Sequence, residues 1–301
     1  MSNQTDTTQA AIELLTREAD YKVLKRVPEI LPTVANGEST FKAAIIDLET
    51  TGLNSDSDEI IEIGTLILSF TNNSGFTGVV FEDNQLQQPN QPISAEITAL
   101  TGITNEDVEG KSVDWNVIAN ALESVNLIIC HNASFDRAFM EKQTPSHFSD
   151  VIKNKAFGCT ARDVNWRMLG YEGAKLEYLN LKMGFFYDGH RALVDCWATL
   201  NILIQEPPAF EQLKAAVRKK QTLICAVSAD FDKKDLLKAR GYRWSDGSRG
   251  LPKCWHITVD EEDLDAEIEY LHQDIYGRTV SLPQQKITAF SRYSGREFTL
   301  S

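Results

Sequence analysis

Two acidic side chains, Asp47 and Glu49, close the apolar run Ala43-Ala-Ile-Ile-Asp-Leu-Glu49, and the turn Thr50-Thr-Gly-Leu53 follows them. The run has the length and β-branching of a buried strand. Alternate side chains of a strand share a face, so the two carboxylates project the same way. Paired carboxylates repel unless a cation lies between them, and oxygen-rich sites of this kind suit Mg²⁺ or Mn²⁺. Two further stretches hold candidates for the remaining ligands. Asn126-Leu-Ile-Ile-Cys-His-Asn-Ala-Ser-Phe-Asp136 reads as a short strand, a turn and a helix start, which aims Asp136 back toward the first pair. In Tyr187-Asp-Gly-His-Arg-Ala-Leu-Val-Asp195, a helix from near Arg191 places Asp195 about one turn in and His190 at or just before its start. Taken singly, each acid is more often a cap or a surface charge, and Asp195 could pair with Arg191 one turn away. Together they supply four carboxylates and one histidine for a single cation site. Asp188, just before Gly189, suits a turn and is left outside it.

In this order and with these gaps, the segments DLETTG, HNASFD and GHRALVD resemble the three exonuclease motifs of the DnaQ-like 3′–5′ exonucleases. The branch is the one called DEDDh, after its four acids and histidine. The resemblance runs from about Phe41 to Gln205 and includes Leu100-Thr-Gly-Ile-Thr104 and the segment from Leu176 to Gly184. It implies a ribonuclease-H-like fold, two divalent cations (Mg²⁺ or Mn²⁺) and release of nucleoside 5′-monophosphates from a free 3′ end. It further implies that Asp47 approaches both ions, that Glu49 and Asp195 complete the nucleophile-side site, and that Asp136 supports the second. His190 would take the proton from the attacking water, a task for which imidazole is suited near neutral pH. In the family the turn Thr50, Thr51, Gly52 and Leu53 contacts the terminal nucleotide, glycine permitting close backbone approach. The plain alternative is a strand-ending turn. Phe135 is either a base-stacking wall or a buried aromatic beside a catalytic acid. His131 has a positioning role at most.

The wording DLETTG sits closer to proofreading-type DNA enzymes than to oligoribonuclease-type ones. The expected substrate is therefore DNA with a free, single-stranded or frayed 3′ end, and the expected setting a polymerase or repair complex. Competing readings are an RNA 3′-end-trimming exonuclease, separable only by contacts to the sugar 2′ position, and a polymerase-associated interaction subunit. An intact set of five catalytic positions argues against pure scaffolding.

The bulk properties bound these readings. A chain of 301 residues, 42% hydrophobic and 24% charged, is globular, and its net charge of −13 argues against coating nucleic acid by bulk electrostatics. A nucleic-acid substrate must be held by a local patch and bound metal. The five scattered cysteines form no CxxC pair, no apolar stretch is long enough to span a membrane, and no signal peptide is visible, so a cytoplasmic protein is expected.

Three regions are expected. Residues 1–40 form a helical extension, with an amphipathic helix from Thr7 to about Lys25 packing on the nuclease domain and a loop from Val34 to Thr40. Residues 41–206 form the exonuclease domain, an α/β unit with a mixed sheet flanked by helices. Strands are expected at Glu59–Phe70, Phe76–Phe81 and Leu127–Cys130, with a turn at Asn72–Gly75. Helices are expected at Val113–Ser124, Phe135–Lys142, Ala161–Leu169, Ala174–Met183 and Arg191–Ile204. Pro207 and Pro208 mark the boundary to a small α+β unit, 209–301, whose 15 basic and 14 acidic residues leave most of the acidity upstream. There, strands are expected at Thr222–Val227 and Cys254–Val259 and helices at Lys233–Ala239 and Glu261–Tyr276. This unit mixes Lys233, Lys234, Lys238, Arg240, Arg243, Arg249 and Lys253 with Tyr242, Trp244 and Trp255. The favoured reading is a tryptophan core under a solvated lysine face; the other is a grip on phosphates and unpaired bases.

Overall fold

The computed structural model describes residues 2–30, 41–71, 75–248 and 250–300. Helix α1 (Ser2–Arg17) and the two-residue strand β1 (Lys25–Arg26) precede three long strands, β2 (Phe41–Thr50), β3 (Ile60–Thr71) and β4 (Gly75–Leu86). Helices α2 (Ala95–Thr101), α3 (Asn105–Val108) and α4 (Trp115–Leu122) lead to β5 (Leu127–Cys130), and α5 (Ala133–Lys142) and α6 (Ser146–Lys153) lead to β6 (Ala156–Cys159). Helix α7 (Leu176–Lys182), strand β7 (Phe185–Phe186) and helices α8 (Ala192–Gln205) and α9 (Pro207–Arg218) follow. The remainder comprises β8 (Gln221–Val227), α10 (Lys234–Ala239), β9 (Arg243–Asp246), β10 (Lys253–Asp260), α11 (Leu264–Tyr270) and β11 (Gln284–Ile287).

Five strands form one mixed sheet in the order β4-β3-β2-β5-β6, in which β3 alone runs against the others. Both faces are covered, which explains why β2 reads as a continuous apolar run rather than an alternating one. Ile45, Leu66 and Leu68 meet Leu200 and Leu203 of α8 on one face. Ile46, Ile67 and Ile128 meet Ile118, Phe139 and Phe148 of α4, α5 and α6 on the other. This is the helix-flanked, ribonuclease-H-like arrangement that the sequence resemblance implies. The parallel strands β2, β5 and β6 all end on the same side, and β2 and β5 run there into DLETTG and HNASFD.

The second sheet is antiparallel, ordered β11-β8-β10-β9. Leu237, Leu271 and Ile275 cover one face, while Leu223, Cys225, Cys254 and Ile287 share a cluster on the other. Beyond β11 the chain returns to the first sheet, where Phe157 donates its N–H to Ala289 O at 2.9 Å. There Arg137, fully buried on α5 beside Asp136, donates to the carbonyls of Phe290 (2.7 Å) and Arg292 (2.8 Å) and pairs with Glu141 at 2.8 Å.

Several expectations are corrected. The N-terminal helix ends at Arg17, not near Lys25, and its described side chains are almost all exposed rather than packed on the nuclease. What docks is the segment after it: Lys25 and Arg26 pair in parallel with Phe185 and Phe186, and Val27 is buried in the core. Ala161–Leu169 forms successive turns: its backbone N–H groups bond variously two, three or four residues back instead of in a continuous four-back ladder, and Trp166 Nε1 donates to Thr160 O. Pro207 and Pro208 open α9 instead of a linker, proline being tolerated where an N–H has no intrahelical partner. Ala209, Phe210 and Leu213 of that helix pack in the same cluster as β2 and α8, so the first core continues past the prolines. Trp244 is exposed and Trp255 only half-buried, so Trp244 is no core residue. The expected 34–40 loop, the turn residues 72–74 and Arg249 lie outside the described residues.

Candidate active site

Strand period places Asp47 and Glu49 on the face that α8 covers, since Ala43 and Ile45, four and two residues before Asp47, lie in that cluster. Gly64 is paired with Asp47 across β2 and β3. A Cβ on Gly64 would lie 2.4 Å from the carbonyl carbon of Ala192 and from Leu193 N, so only glycine lets the first turn of α8 press onto the sheet here. That contact brings Asp195 over the end of β2. Carboxylate oxygens of Asp47, Glu49 and Asp195 lie within 4.8 Å of one another. Asp136 enters from the first turn of α5, is buried, and accepts the backbone N–H of Leu48 and the thiol of Cys130.

The start of α8 is fixed by a residue from β3. Glu62, fully buried and opposite Glu49 in the register, accepts Ala192 N–H at 2.9 Å and the Arg191 guanidinium at 2.7 Å. Arg191 thus serves Glu62 rather than Asp195. Asp195 instead accepts the backbone N–H of Arg191 at 3.1 Å, together with that of His190 and the phenol of Tyr187. His190 has φ 64°, a left-handed conformation that costs a histidine less than most residues, and it leaves the imidazole exposed beside the cluster. Asp188 points away and pairs with Arg26 on the surface at 2.8 Å.

Among the described residues no lysine or arginine forms an ion pair with Asp47, Glu49, Asp136 or Asp195. Burial, then repulsion from Asp195, Glu62 and Asp136, pushes Glu49 up to about 8. Burial pushes Asp136 up to about 7 despite the hydrogen bonds it accepts. Asp47 is raised by burial and by its neighbours Asp136, Asp195, Glu49 and Glu62; burial also raises Asp195. Three hard oxygen donors within reach of one another, and a fourth carboxylate next to them, all costly to ionise alone, are the donor set that a divalent cation fits.

The turn after β2 is tightly built. Thr50 Oγ1 donates to Gly52 O at 2.6 Å, and Thr51 exchanges hydrogen bonds with Glu59, both at 2.9 Å. A Cβ on Gly52 would lie 2.5 Å from Asp58 Oδ2, a carboxylate that accepts Asn54 N–H at 2.7 Å, so the turn itself already favours glycine here. Leu53 at its tip is 88% exposed. Phe135 is half-buried and leans on Phe139 with ring centroids 4.9 Å apart. His131 is lowered to about 4 by burial, and its Nδ1 lies 2.7 Å from Thr160 Oγ1. A groove of about 770 Å³, lined in part by Arg162, Arg167, Lys219 and Arg292, follows β6, and none of the five catalytic candidates lines it.

Residues 44–203 match the family model RNase_T, described as Exonuclease. The chain belongs to this exonuclease family. It is similar to a DNA polymerase III PolC-type of Clostridium perfringens, 26% identical over 267 residues, covering 86% of this chain and 17% of that protein. It is also similar to the uncharacterized exonuclease CP81 of Escherichia phage 186, 31% identical over 174 residues, covering 52% of this chain and 84% of that one. Among solved structures, Exonuclease X in complex with 5′ overhanging duplex DNA is 23% identical with a TM-score of 0.42, covering 58% of this chain and 98% of that one. The exonuclease spans 17% or less of the PolC-type polymerases it matches. The resemblance to DnaQ-like 3′–5′ exonucleases is borne out by the matched family, whose span contains all three motifs.

Glu62, Gly64 and Tyr187 escaped the sequence reading. For Glu62 a signal existed: it is an acid inside the apolar run Ile60-Ile-Glu-Ile63, at odds with a strand buried on both faces. Gly64 and Tyr187 carry no such mark. Their importance arises from strand register and from the return of the 185–190 segment over the sheet.

Proposed function

We propose that the exonuclease shortens DNA from a single-stranded or frayed 3′ end, using two divalent cations, Mg²⁺ or Mn²⁺, and releasing nucleoside 5′-monophosphates. The observation that carries this reading is the convergence of Asp47, Glu49 and Asp195 within 4.8 Å, next to buried Asp136 and exposed His190, without a neutralising side chain. Asp47, Glu49 and Asp195 would hold the nucleophile-side ion, and Asp47 with Asp136 the second. Such ions, when bound, supply an activated water, an oriented phosphate and stabilisation of the leaving 3′ oxygen.

The side chains do the remainder. His190 stands at the mouth of the cluster, where its imidazole can take the proton of the attacking water and return it to solvent. Tyr187 and the two backbone N–H groups hold the Asp195 carboxylate in one orientation. Glu62, through Ala192 and Arg191, sets where that helix begins. Leu53 at the tip of the Thr50–Thr51–Gly52 turn offers an apolar edge to the terminal base, and Phe135 a second wall.

DNA is preferred over RNA on the wording DLETTG and on the name of the PolC-type relatives, which also supports a setting beside a polymerase or in repair. Five cysteines, all buried and unpaired, and no described helix long and apolar enough to cross a membrane are compatible with a cytoplasmic site of action. The test is a gel assay with 5′-labelled single-stranded DNA, matched RNA, and duplex with a paired or mispaired 3′ end, in Mg²⁺ or EDTA. A metal-dependent ladder shortening from the 3′ end of DNA, absent in Asp195→Ala, is expected. Intact substrates with folded protein and metal present would overturn the assignment, and faster loss of RNA would overturn the DNA preference.

A further inference from the structure

The C-terminal sheet carries a surface that the nuclease chemistry leaves unused. Trp244 lies on β9, the free edge of that sheet, and is 55% exposed; Phe231, just before α10, is 75% exposed. Trp244 sits directly opposite Trp255 of β10, and the two rings meet edge to face with centroids 5.6 Å apart. Lys238 Nζ stands 5.7 Å from the Trp255 ring centroid. Lys234, one helical turn earlier, holds its Nζ 3.9 Å from the Phe231 ring. Phe231, Lys234, Lys238, Trp255 and Trp244 therefore make a stripe of aromatic faces with ammonium groups between them.

The ion pairs of this part of the chain, Lys219–Asp260, Arg240–Glu267 and Lys286–Glu261, leave Lys234 and Lys238 outside them among the described residues. Asp232, Asp235 and Asp246 lie nearby, so the stripe is no general anion trap. A ligand must use the ring faces as well as the charges. Unpaired nucleotides meet both demands, with π-faces that stack on aromatic side chains and phosphates that accept from ammonium groups. A duplex hides its base faces. A protein-docking face would share the aromatic anchors but is usually poor in lysine, whereas here two ammonium groups stand on the rings.

We infer that the stripe binds unpaired nucleotides, with bases stacking on Trp244 and Phe231 and phosphates held by Lys234 and Lys238. That these belong to the strand being degraded rests on the nuclease reading above. The stripe supplies a local grip of the kind that a chain of net charge −13 requires for a nucleic-acid substrate.

The test uses the full chain in EDTA, which stops metal-dependent hydrolysis, and the fluorescence anisotropy of a 5′-labelled oligothymidylate of about 20 nucleotides. Trp244→Ala is expected to weaken binding about tenfold, in the range measured for loss of one base–aromatic stack. Lys238→Ala should weaken binding and reduce the slope of log affinity against log salt by about 0.7, the value for one phosphate contact on a single strand. A blunt duplex of equal length should compete poorly. If the unaltered chain does not bind, or if both variants retain their melting temperature and bind as it does, the inference is overturned. Metal-dependent release of nucleotides by the unaltered chain is scored separately, so failure of the nuclease reading and failure of the stripe give different results.

Discussion

Removing divalent metal should make the stability of this exonuclease fall as pH rises through neutrality, the opposite of the usual behaviour of carboxylate-rich proteins. In the folded, metal-free chain Glu49 is raised from 4.5 to about 8 and Asp136 from 3.8 to about 7. A raised carboxyl pKa means that the folded state holds protons the unfolded state has already released. The stabilising contribution is full below the unfolded values and is lost as pH climbs through the folded ones. Between pH 6.5 and 7.5 these two groups alone leave the folded chain with about 1.4 extra protons on average, a loss near 2 kcal/mol across that unit of pH. Asp47 and Asp195, also raised, add in the same direction. His131, lowered from 6.5 to about 4, still binds a fraction of a proton in the unfolded state over this range and opposes the trend by only about 0.4 kcal/mol. For a chain of 301 residues the loss corresponds to a melting temperature lower by roughly 3 °C. Scanning calorimetry in EDTA at pH 6.5, 7.0 and 7.5 measures it, with parallel scans in excess Mg²⁺. Bound cations replace the protons, so the Mg²⁺ series should be flatter, and the gap between the series should widen with pH. Asp136→Asn should reduce the EDTA slope. A melting temperature in EDTA that is flat or rising over this range, or two parallel series, would refute the electrostatic account of the site.

Two further outcomes follow from packing. Gly64→Ala places a methyl group against the backbone of α8, so it should cost about 1–3 kcal/mol of stability and reduce the cleavage rate about 100-fold by displacing Asp195. Gly78→Ala on β4, whose Cβ would meet nothing closer than Ser69 Oγ at 3.9 Å, is the control expected to leave the rate unchanged. Arg137→Ala removes the closest cation from the buried Glu141 carboxylate, which keeps Ser294 and Arg296, and frees the carbonyl of Arg292, so urea unfolding should report a loss of about 2–4 kcal/mol. A loss below 1 kcal/mol would mean that the C-terminal return does not brace α5.

Much of the site was legible because its signals are local. The period of a strand alone puts Asp47 and Glu49 on one face, and β5 and α8 begin and end within a residue or two of where the apolar pattern starts and stops. Where the reading failed, a local pattern competed with a distant partner. Ala161–Leu169 has helical composition, yet the Trp166 indole is claimed by Thr160 O and the Asn165 N–H by Gln212, which accepts it at 2.7 Å. The N-terminal helix has an apolar periodicity but ends early, and the chain docks through Lys25–Val27, a segment with no strand pattern of its own, because Gly184 and Phe186 offer it carbonyls. Trp244 was expected in a core because tryptophan usually buries; the edge position of β9 leaves it outside.

The sequence by itself determined the donor set of the candidate site, since the identity of four carboxylates and a histidine, and the order of the motifs that carry them, is written in single residues and short spacings. It also determined the apolar strands that must be buried on both faces. Tertiary structure decided how the carboxylates meet. Gly64 opposite Asp47 admits α8, Glu62 holds that helix by its first N–H, and Tyr187 orients Asp195. It likewise decided that residues 289–292 close over Arg137 on the helix that carries Asp136. Those contacts join residues up to 155 positions apart, and strand register and chain return, which no local periodicity encodes, are what bring them together.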